Sequence, residues 1–220
     1  MIPKTLKPDT AASEAESLQI AGTIIAQGGV IVCATDTGYL LGVDGLNPEA
    51  IRKIYQIKGR TFDKPIHLVV ADVAMAKPLA EFTPEVEQIF DCILPGPLTL
   101  ILKKTSRVPD ILVSGLETIG LRMPKSDWLL ELVRQTNTPI TATSANQSGK
   151  ATPFTVEQVF TELGEAVEYI DLIIDHGPTQ YTTPSTLLDL TQSPPHILRE
   201  GPVTQQMLTQ QLMSSGIYLA

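Results

Sequence analysis

Lys58, Arg60 and Lys64 crowd into the nine-residue run IKGRTFDKP (57–65) of a chain that is otherwise acidic, with 24 Asp and Glu against 16 Lys and Arg. Cations this close repel one another, so the run reads as a site for an anion. The net charge of −8 argues against a broad basic face for nucleic acid, so anion binding here must be local. After Lys150 the only Lys or Arg is Arg199. It has either a specific task or the ordinary place of a surface arginine. Three runs rich in small polar side chains complete the chemistry-bearing set: ATDTGY (34–39), TSANQSG (143–149) and TTPST (182–186). Each adjoins an apolar run that reads as a strand. Ligands of open α/β sheets lie in the crevice at strand ends, where short donors and acceptors are useful. Any one run could be plain turn chemistry. Three together with a cation cluster favour a site.

Several standard chemistries are missing. Gly149-Lys150 is followed by Ala151, so it is no phosphate-binding loop, and no G-x-G-x-x-G exists. His67, His176 and His196 are far apart and have no Cys partners at metal-ligand spacing, so no protein-held metal is expected. There is no G-x-S-x-G nucleophile turn. Ser144-Ala145-Asn146 is only faintly like the S-D-N of penicillin-binding enzymes, and no serine has the lysine three places on that those enzymes need. His67 stands in an apolar run and reads as a packed strand residue. Arg52 and Lys53 read as a solvated helix face.

The elements that must position these residues alternate between strand and helix. Ser13-Glu14-Ala15-Glu16 resembles a capping box for a helix reaching about Gln27, where Gly28-Gly29 stops it. VIVCA (30–34) and LLGVD (40–44) are adjacent strands. Asn47-Pro48-Glu49 combines an N-cap, an N1 proline and an acid at the positive helix end. IHLVVA (66–71) is a strand, and Thr83-Pro84-Glu85 opens a helix with Val86, Ile89, Phe90 and Ile93 on one face. LTLIL (98–102) and TIGLR (118–122) are strands. Ser126 caps a helix carrying Leu129, Leu130, Leu132 and Val133. PITAT (139–143), DLIID (171–175), STLLDL (185–190) and HILR (196–199) are further strands. A helix runs over 155–163, and a last one follows Pro202. The fold class is α/β, with a mixed sheet because some neighbouring strands lie too close for a helical crossover.

The 220 residues suffice for one core without disulfides, and 43% hydrophobic with 18% charged content is ordinary for a soluble enzyme. Cys33 and Cys92 both sit in apolar runs and read as reduced core residues. No apolar run approaches about 20 residues, and the N-terminus has no secretory pattern. A cytoplasmic location without membrane insertion is expected.

From about residue 15 to about residue 202 the chain resembles the YrdC-like family, the threonylcarbamoyl-AMP synthases. ATDTGYLLGVDG, KGRTFDKPI, PGPLTLIL, TIGLRMP, SANQSG, PSTLLDL and ILREG match the family's motifs in order. The resemblance implies a twisted, open, mixed sheet flanked by helices over 15–202, with 203–220 as a C-terminal helical extension. It implies a nucleotidyltransferase that joins L-threonine, bicarbonate and ATP into threonylcarbamoyl-adenylate and pyrophosphate. Mg²⁺ would accompany the ATP, and a downstream transferase would carry the group to a tRNA adenosine. Lys58 and Arg60 then become the catalytic pair, with Lys58 facing phosphates. Arg60, Lys64, Thr118, Asn146 and Arg199 fall on ATP-side positions. Thr35, Thr37, Arg122, Ser144 and Ser185 fall on threonine-side positions. The planar guanidinium of Arg122 suits an amino-acid carboxylate, although a strand-end arginine can equally be half of a buried ion pair.

The chain departs from the family pattern at Ala34 (usually proline), Gly38 (usually valine) and Leu40 (usually glycine). These lean toward the YciO-type paralogue, as does TIGLRMP, whereas that type lacks the retained SAN. The changes fall beside the implied threonine pocket and bear on amino-acid specificity more than on the nucleotide. Two rival readings follow: a YciO-like paralogue with weak or different activity, and a module that binds double-stranded RNA without catalysis. The charge of −8 weighs against the latter.

Overall fold

The computed structural model describes residues 2–61 and 64–213. In chain order the strands are β1 (Lys4–Leu6), β2 (Ile31–Thr35), β3 (Gly38–Gly42), β4 (His67–Val69), β5 (Leu98–Lys103), β6 (Thr118–Arg122), β7 (Ile140–Ser144), β8 (Leu172–Ile174), β9 (Thr186–Asp189) and β10 (His196–Arg199). The helices are α1 (Ala11–Ala26), α2 (Pro48–Lys58), α3 (Val73–Ala76), α4 (Pro84–Ile93), α5 (Asp127–Thr136), α6 (Val156–Leu163) and α7 (Gln205–Met213), with a 3₁₀ turn at Gly164–Tyr169.

The strands form one mixed sheet in the order β1-β8-β2-β3-β7-β4-β6-β5-β9-β10 among the described residues. β2 and β3 form an antiparallel hairpin, with Thr35 opposite Gly38. Both strands are buried throughout, which is why their sequences read as unbroken apolar runs. β3 and β4 flank β7 antiparallel, while β4 runs parallel to β6.

Two apolar layers cover the sheet. One gathers Ile51, Ile54 and Tyr55 of α2 and Ile89 and Phe90 of α4 against Leu68, Leu100 and Leu121. The other gathers Ala21 and Ile25 of α1 and Leu129, Leu132 and Val133 of α5 against Ile31, Cys33, Leu40, Val69 and Ile140. Leu208 and Leu212 of α7 lie in the first cluster, so the expected C-terminal extension docks, as far as Met213, on the same core as α4; its residues 214–220 lie outside those described. β1 and α1 likewise bring residues before 15 into the sheet and its covering layer.

Helix boundaries follow local chemistry with two differences from the sequence reading. Asn47 caps α2 by accepting from the Glu49 and Ala50 amides, as its sequence predicts. Gly59, left-handed at φ 59°, ends that helix directly after Lys58. The cap of α1, however, is Thr10. Its hydroxyl accepts from the Ser13 amide at 3.2 Å, and the Ser13 hydroxyl accepts from the Thr10 amide at 3.0 Å. Ala11 and Ala12 are strong helix formers, so the helix starts a turn earlier than Ser13. Ser126 stands at the N-cap of α5 but makes no cap bond; its hydroxyl donates to the Ala34 carbonyl at 3.3 Å and ties α5 to β2. Cys33 is buried, whereas Cys92 is exposed, contrary to the reading of both as core. In α4 the apolar stripe is Val86, Ile89, Phe90 and Ile93, and residue 92 falls on the opposite side.

Candidate functional site

Part of the sheet face that α1 and α5 cover is left open beyond the ends of those helices. Leu40 and Ala142 belong to the edge of that covered layer and also line the opening. The result is a cavity of about 190 Å³ over β3, β7, β4 and β6, closed at one side by the segment leading into β9 and by the end of β10. Its walls include Thr35, Thr37, His67, Arg122, Ser144, Ser185 and Arg199. All five sequence-predicted threonine-side residues therefore meet in one hollow, joined by one ATP-side residue from near the chain's far end.

The T-D-T turn between β2 and β3 is organised by its hydroxyls. Thr35 Oγ1 donates to the Gly38 carbonyl at 2.8 Å and accepts from the Thr37 amide at 3.1 Å. This turn sends the Asp36 carboxylate inward, where its side chain is fully buried. Asp36 Oδ1 accepts from Arg122 Nη2 at 2.7 Å, and Oδ2 accepts from the Lys125 amide at 3.2 Å. Arg122 Nη2 also donates to Thr37 Oγ1 at 3.0 Å. Of the two sequence alternatives for Arg122, the structure shows the buried ion pair, and it also places the residue in the wall of the cavity. Burial pushes its pKa down, Asp36 pushes it back up, and Arg199 adds repulsion. Its Nε is buried with no partner among the described residues.

Arg199 is an exposed residue, yet its guanidinium is tied down at the edge of the cavity. Its Nε and Nη2 donate to the Ser185 carbonyl at 3.2 and 2.7 Å, and the Ser185 hydroxyl bonds Thr99 Oγ1 at 2.9 Å. Thr186 Oγ1 accepts from the Gly201 and Val203 amides and donates to the Val203 carbonyl. The PST and REG motifs, distant in sequence order from the rest of the site, thus form one hydrogen-bonded unit at its edge.

The cation run behaves differently from the expectation of three residues facing one anion. Lys58 is buried, and its ammonium donates to the carbonyls of Ser144 and Asn146 at 2.6 and 2.8 Å. Desolvation, with repulsion from Arg60 and then Lys64, pushes its pKa down to about 7. It braces the turn after β7 from behind and does not line the cavity. Arg60 is half-buried, with its guanidinium 5.1 Å above the Tyr55 ring and Nη2 donating to the Lys64 carbonyl at 3.3 Å. Lys64 is exposed beside Pro65, a cavity residue. Between them the motif passes through residues outside those described. Asn146 is buried and shapes its own turn, donating from Nδ2 to the Gln147 and Lys150 carbonyls at 2.9 and 2.8 Å. Thr118 lies at the opposite end of β6 from Arg122, on the same face by strand alternation but outside the cavity wall. Arg52 and Lys53 are solvated, as read: Arg52 pairs with Glu49 one turn away, and Lys53 donates to the Gly28 carbonyl.

His67 is a packed strand residue, as its apolar run predicts, with its ring against Gly120; what the sequence did not disclose is that it also faces the cavity. It lines the cavity at the start of β4, and its pKa is pushed down to about 4 by burial and by Arg122, Arg199 and Arg60. Three arginines from separate parts of the chain therefore converge electrostatically on one imidazole. Asp36 and Thr152 were also missed as site components. Asp36 carried a signal, since it lies between two cavity threonines in the motif; Thr152 carried none beyond its nearness to SANQSG.

With this geometry in place, comparisons with known proteins give consistent findings. The family model for Sua5, YciO and YrdC, described as telomere recombination, matches residues 23–201. A protein named putative threonylcarbamoyl-AMP synthase from Methanocaldococcus jannaschii is 38% identical, over 84% of this chain and 85% of its own length. A threonylcarbamoyl-AMP synthase from Pyrococcus abyssi is 37% identical over 84% of this chain, which spans 54% of that longer protein. The structure of P. abyssi Sua5 complexed with L-threonine superposes with a TM-score of 0.88 at 32% identity, covering all of this chain and 63% of the other. That of Escherichia coli YciO gives a TM-score of 0.78 at 28% identity, covering 92% and 97%. The motifs that gather around the cavity and the match along most of the sequence lead to one placement: this chain belongs to the Sua5/YciO/YrdC family.

Proposed function

We propose that this protein is a threonylcarbamoyl-AMP synthase. It converts L-threonine, bicarbonate and MgATP into threonylcarbamoyl-adenylate and pyrophosphate, and supplies a transferase that modifies a tRNA adenosine. A cytoplasmic location accords with that task; no helix among the described residues is long and apolar enough to cross a membrane. The observation that carries this reading is the sharing of one hydroxyl-lined cavity by Arg122 and Arg199, with Arg122 fixed by Asp36.

Arg122 holds the threonine carboxylate, its fork already oriented by the buried aspartate. The hydroxyls of Thr35, Thr37, Ser144 and Ser185 surround the rest of the amino acid. Once carboxylated, the amine presents a carbamate oxygen, which attacks the α-phosphate and expels pyrophosphate. Adenylyl transfer of this kind asks the protein for placement and for cations where charge develops. Arg199 supplies the latter from the cavity wall, and Arg60 and Lys64 supply it from the segment beside Pro65. Lys58 acts through the turn it braces. Mg²⁺ enters as part of the nucleotide substrate, on its phosphate oxygens.

The test is to incubate the purified protein with MgATP, L-threonine and bicarbonate and to search for threonylcarbamoyl-adenylate by mass spectrometry. The adenylate should form only with all three present; its absence under complete conditions overturns the reading. Gly38 and Leu40 both line the cavity, so other amino acids belong in the same experiment. Formation of a different acyl-adenylate in preference to the threonyl one would favour a YciO-like paralogue with another substrate.

A further inference from the structure

Resting on the synthase reading, we propose that His67 determines specificity on the amino-acid side: its imidazole, seated in a notch at Gly120 in the cavity wall, hydrogen-bonds the side-chain hydroxyl of the substrate.

The notch is geometric. β4 lies between β7 and β6, with His67 opposite Ala142 of β7 and Leu68 paired with Leu121 of β6. A Cβ placed on Gly120 would stand 2.5 Å from His67 Cδ2, 2.7 Å from Cγ and 3.0 Å from Nε2. Those atoms belong to a ring, which cannot yield as the tip of a flexible chain would. Any side chain at 120 must evict the imidazole from its place. Thr118 and Arg122, two residues either side, share that face of β6, so the ring fills the gap that Gly120 leaves beside Arg122.

The chemistry follows from the neighbours. Arg122 on β6, Arg199 on β10 and Arg60 after α2 all repel a proton from this ring. Burial acts in the same sense, and the pKa near 4 leaves the imidazole neutral at physiological pH. A neutral imidazole has one N–H donor and one lone pair. It is poorly matched to a carboxylate, which Arg122 already serves, and well matched to a hydroxyl, which both donates and accepts. Beside it, Ala142 and Leu40 line the cavity with apolar surface that a methyl group can meet. A hydroxyl acceptor-donor next to an apolar wall selects a β-hydroxy amino acid with a branch.

The test compares calorimetric affinities for L-threonine and L-2-aminobutyrate, which lacks the hydroxyl, in the wild type and in His67→Leu, His67→Gln and Gly120→Ala. A site built to bond a hydroxyl disfavours the analogue without it, so the wild type should prefer threonine by about ten-fold or more. His67→Leu and Gly120→Ala should bring the two affinities within about three-fold, and His67→Gln should retain part of the preference. ATP affinity should stay unchanged in each, which a merely misfolded variant would not preserve. If His67→Leu loses ATP affinity, the other two variants carry the test. The wild-type ratio persisting in variants that bind ATP normally overturns the assignment. A wild type that makes the adenylate yet ignores the hydroxyl overturns this assignment alone. A wild type that binds neither amino acid overturns the synthase reading with it.

Discussion

The ammonium of Lys58, in the last turn of α2, donates to the main-chain carbonyl of Asn146 at 2.8 Å, joining the cation motif to the SAN turn across the fold. A second bond, to the Ser144 carbonyl at 2.6 Å, makes the lysine a brace with two attachments. Lys58→Met keeps the length of the side chain and removes both donors. Leaving buried acceptors unpaired costs about 1–3 kcal/mol, so the variant should melt several degrees lower. Because Ser144 lines the cavity, it should also lose most synthase turnover. A variant that keeps its melting temperature while losing activity would mean that Lys58 acts on phosphates and not through the turn.

Arg60 offers the contrast. It packs over Tyr55 at the end of the same motif, and it does so at the half-exposed surface. A cation–π contact there contributes about 0.5–1 kcal/mol. Arg60→Ala should therefore change stability little while raising the KM for ATP by about ten-fold or more, the cost of one charge-assisted phosphate contact. Equal effects on the KM values for ATP and threonine would argue against its place on the nucleotide side.

Asp36 and Arg122 form a buried pair, and the proposed carboxylate clamp is tested through it. Asp36→Asn preserves shape and removes the charge that orients the guanidinium. Breaking one side of such a pair typically costs about 3–5 kcal/mol, and the isosteric amide should lower that to about 2–4 kcal/mol. The KM for threonine should rise more than ten-fold, with the KM for ATP much less affected. Steady-state kinetics with each substrate varied in turn decides this, and an unchanged threonine KM would remove Arg122 from the role of carboxylate clamp.

Much of this site was readable before any fold was known, and the unread parts have physical causes. Asn47-Pro48-Glu49 declared the start of α2 because capping is local chemistry. The hydroxyl runs declared themselves because strand ends in an α/β sheet are where turns and ligands coincide. The Asp36–Arg122 pair was invisible as a pair, since partnership across the chain depends on strand order, which no local pattern encodes. β1 was missed because three residues carry no period and the strand exists only through β8. His67 is a packed strand residue, as its apolar run indicates, but a run of that kind does not disclose that one face of β4 ends at a cavity.

The depressed pKa of Lys58 gives a pH signature with a definite sign. The ammonium persists below about pH 7 and is lost above it. The ammonium holds the Ser144 and Asn146 carbonyls more strongly than a neutral amine would, so kcat/KM should fall as pH rises through about 7. Stability runs the other way. Between about 7 and the usual lysine value of 10.5 the unfolded chain binds the extra proton, so this residue's contribution to stability grows as pH rises. His67, with a pKa near 4, adds nothing to the profile between pH 6 and 8. His67→Gln should keep the falling limb and Lys58→Met should lack it in whatever activity it retains; a limb unchanged in Lys58→Met would assign it to another group.

Gly38 is one of the three positions where the chain departs from the family pattern, and its backbone conformation disfavours the family's valine there. Its φ of 141° lies in a region that side chains with a Cβ rarely adopt. An added Cβ would also stand 2.8 Å from Thr152 Cγ2 and 3.3 Å from the Pro153 carbonyl oxygen. That carbonyl accepts from the Tyr39 amide at 2.9 Å, so displacing it loosens the segment that carries Thr152 along the cavity. Gly38→Ala should cost about 1–3 kcal/mol through strain and crowding together. Gly38, Leu40 and Thr152 all line the cavity proposed for the amino acid, so the KM for threonine should rise several-fold before that for ATP moves. Gly38→Val should do both more strongly. If Gly38→Val instead improved threonine turnover at unchanged stability, the hairpin would be free to take the family's geometry, and the contact between Gly38 and Thr152 would not set the shape of the pocket.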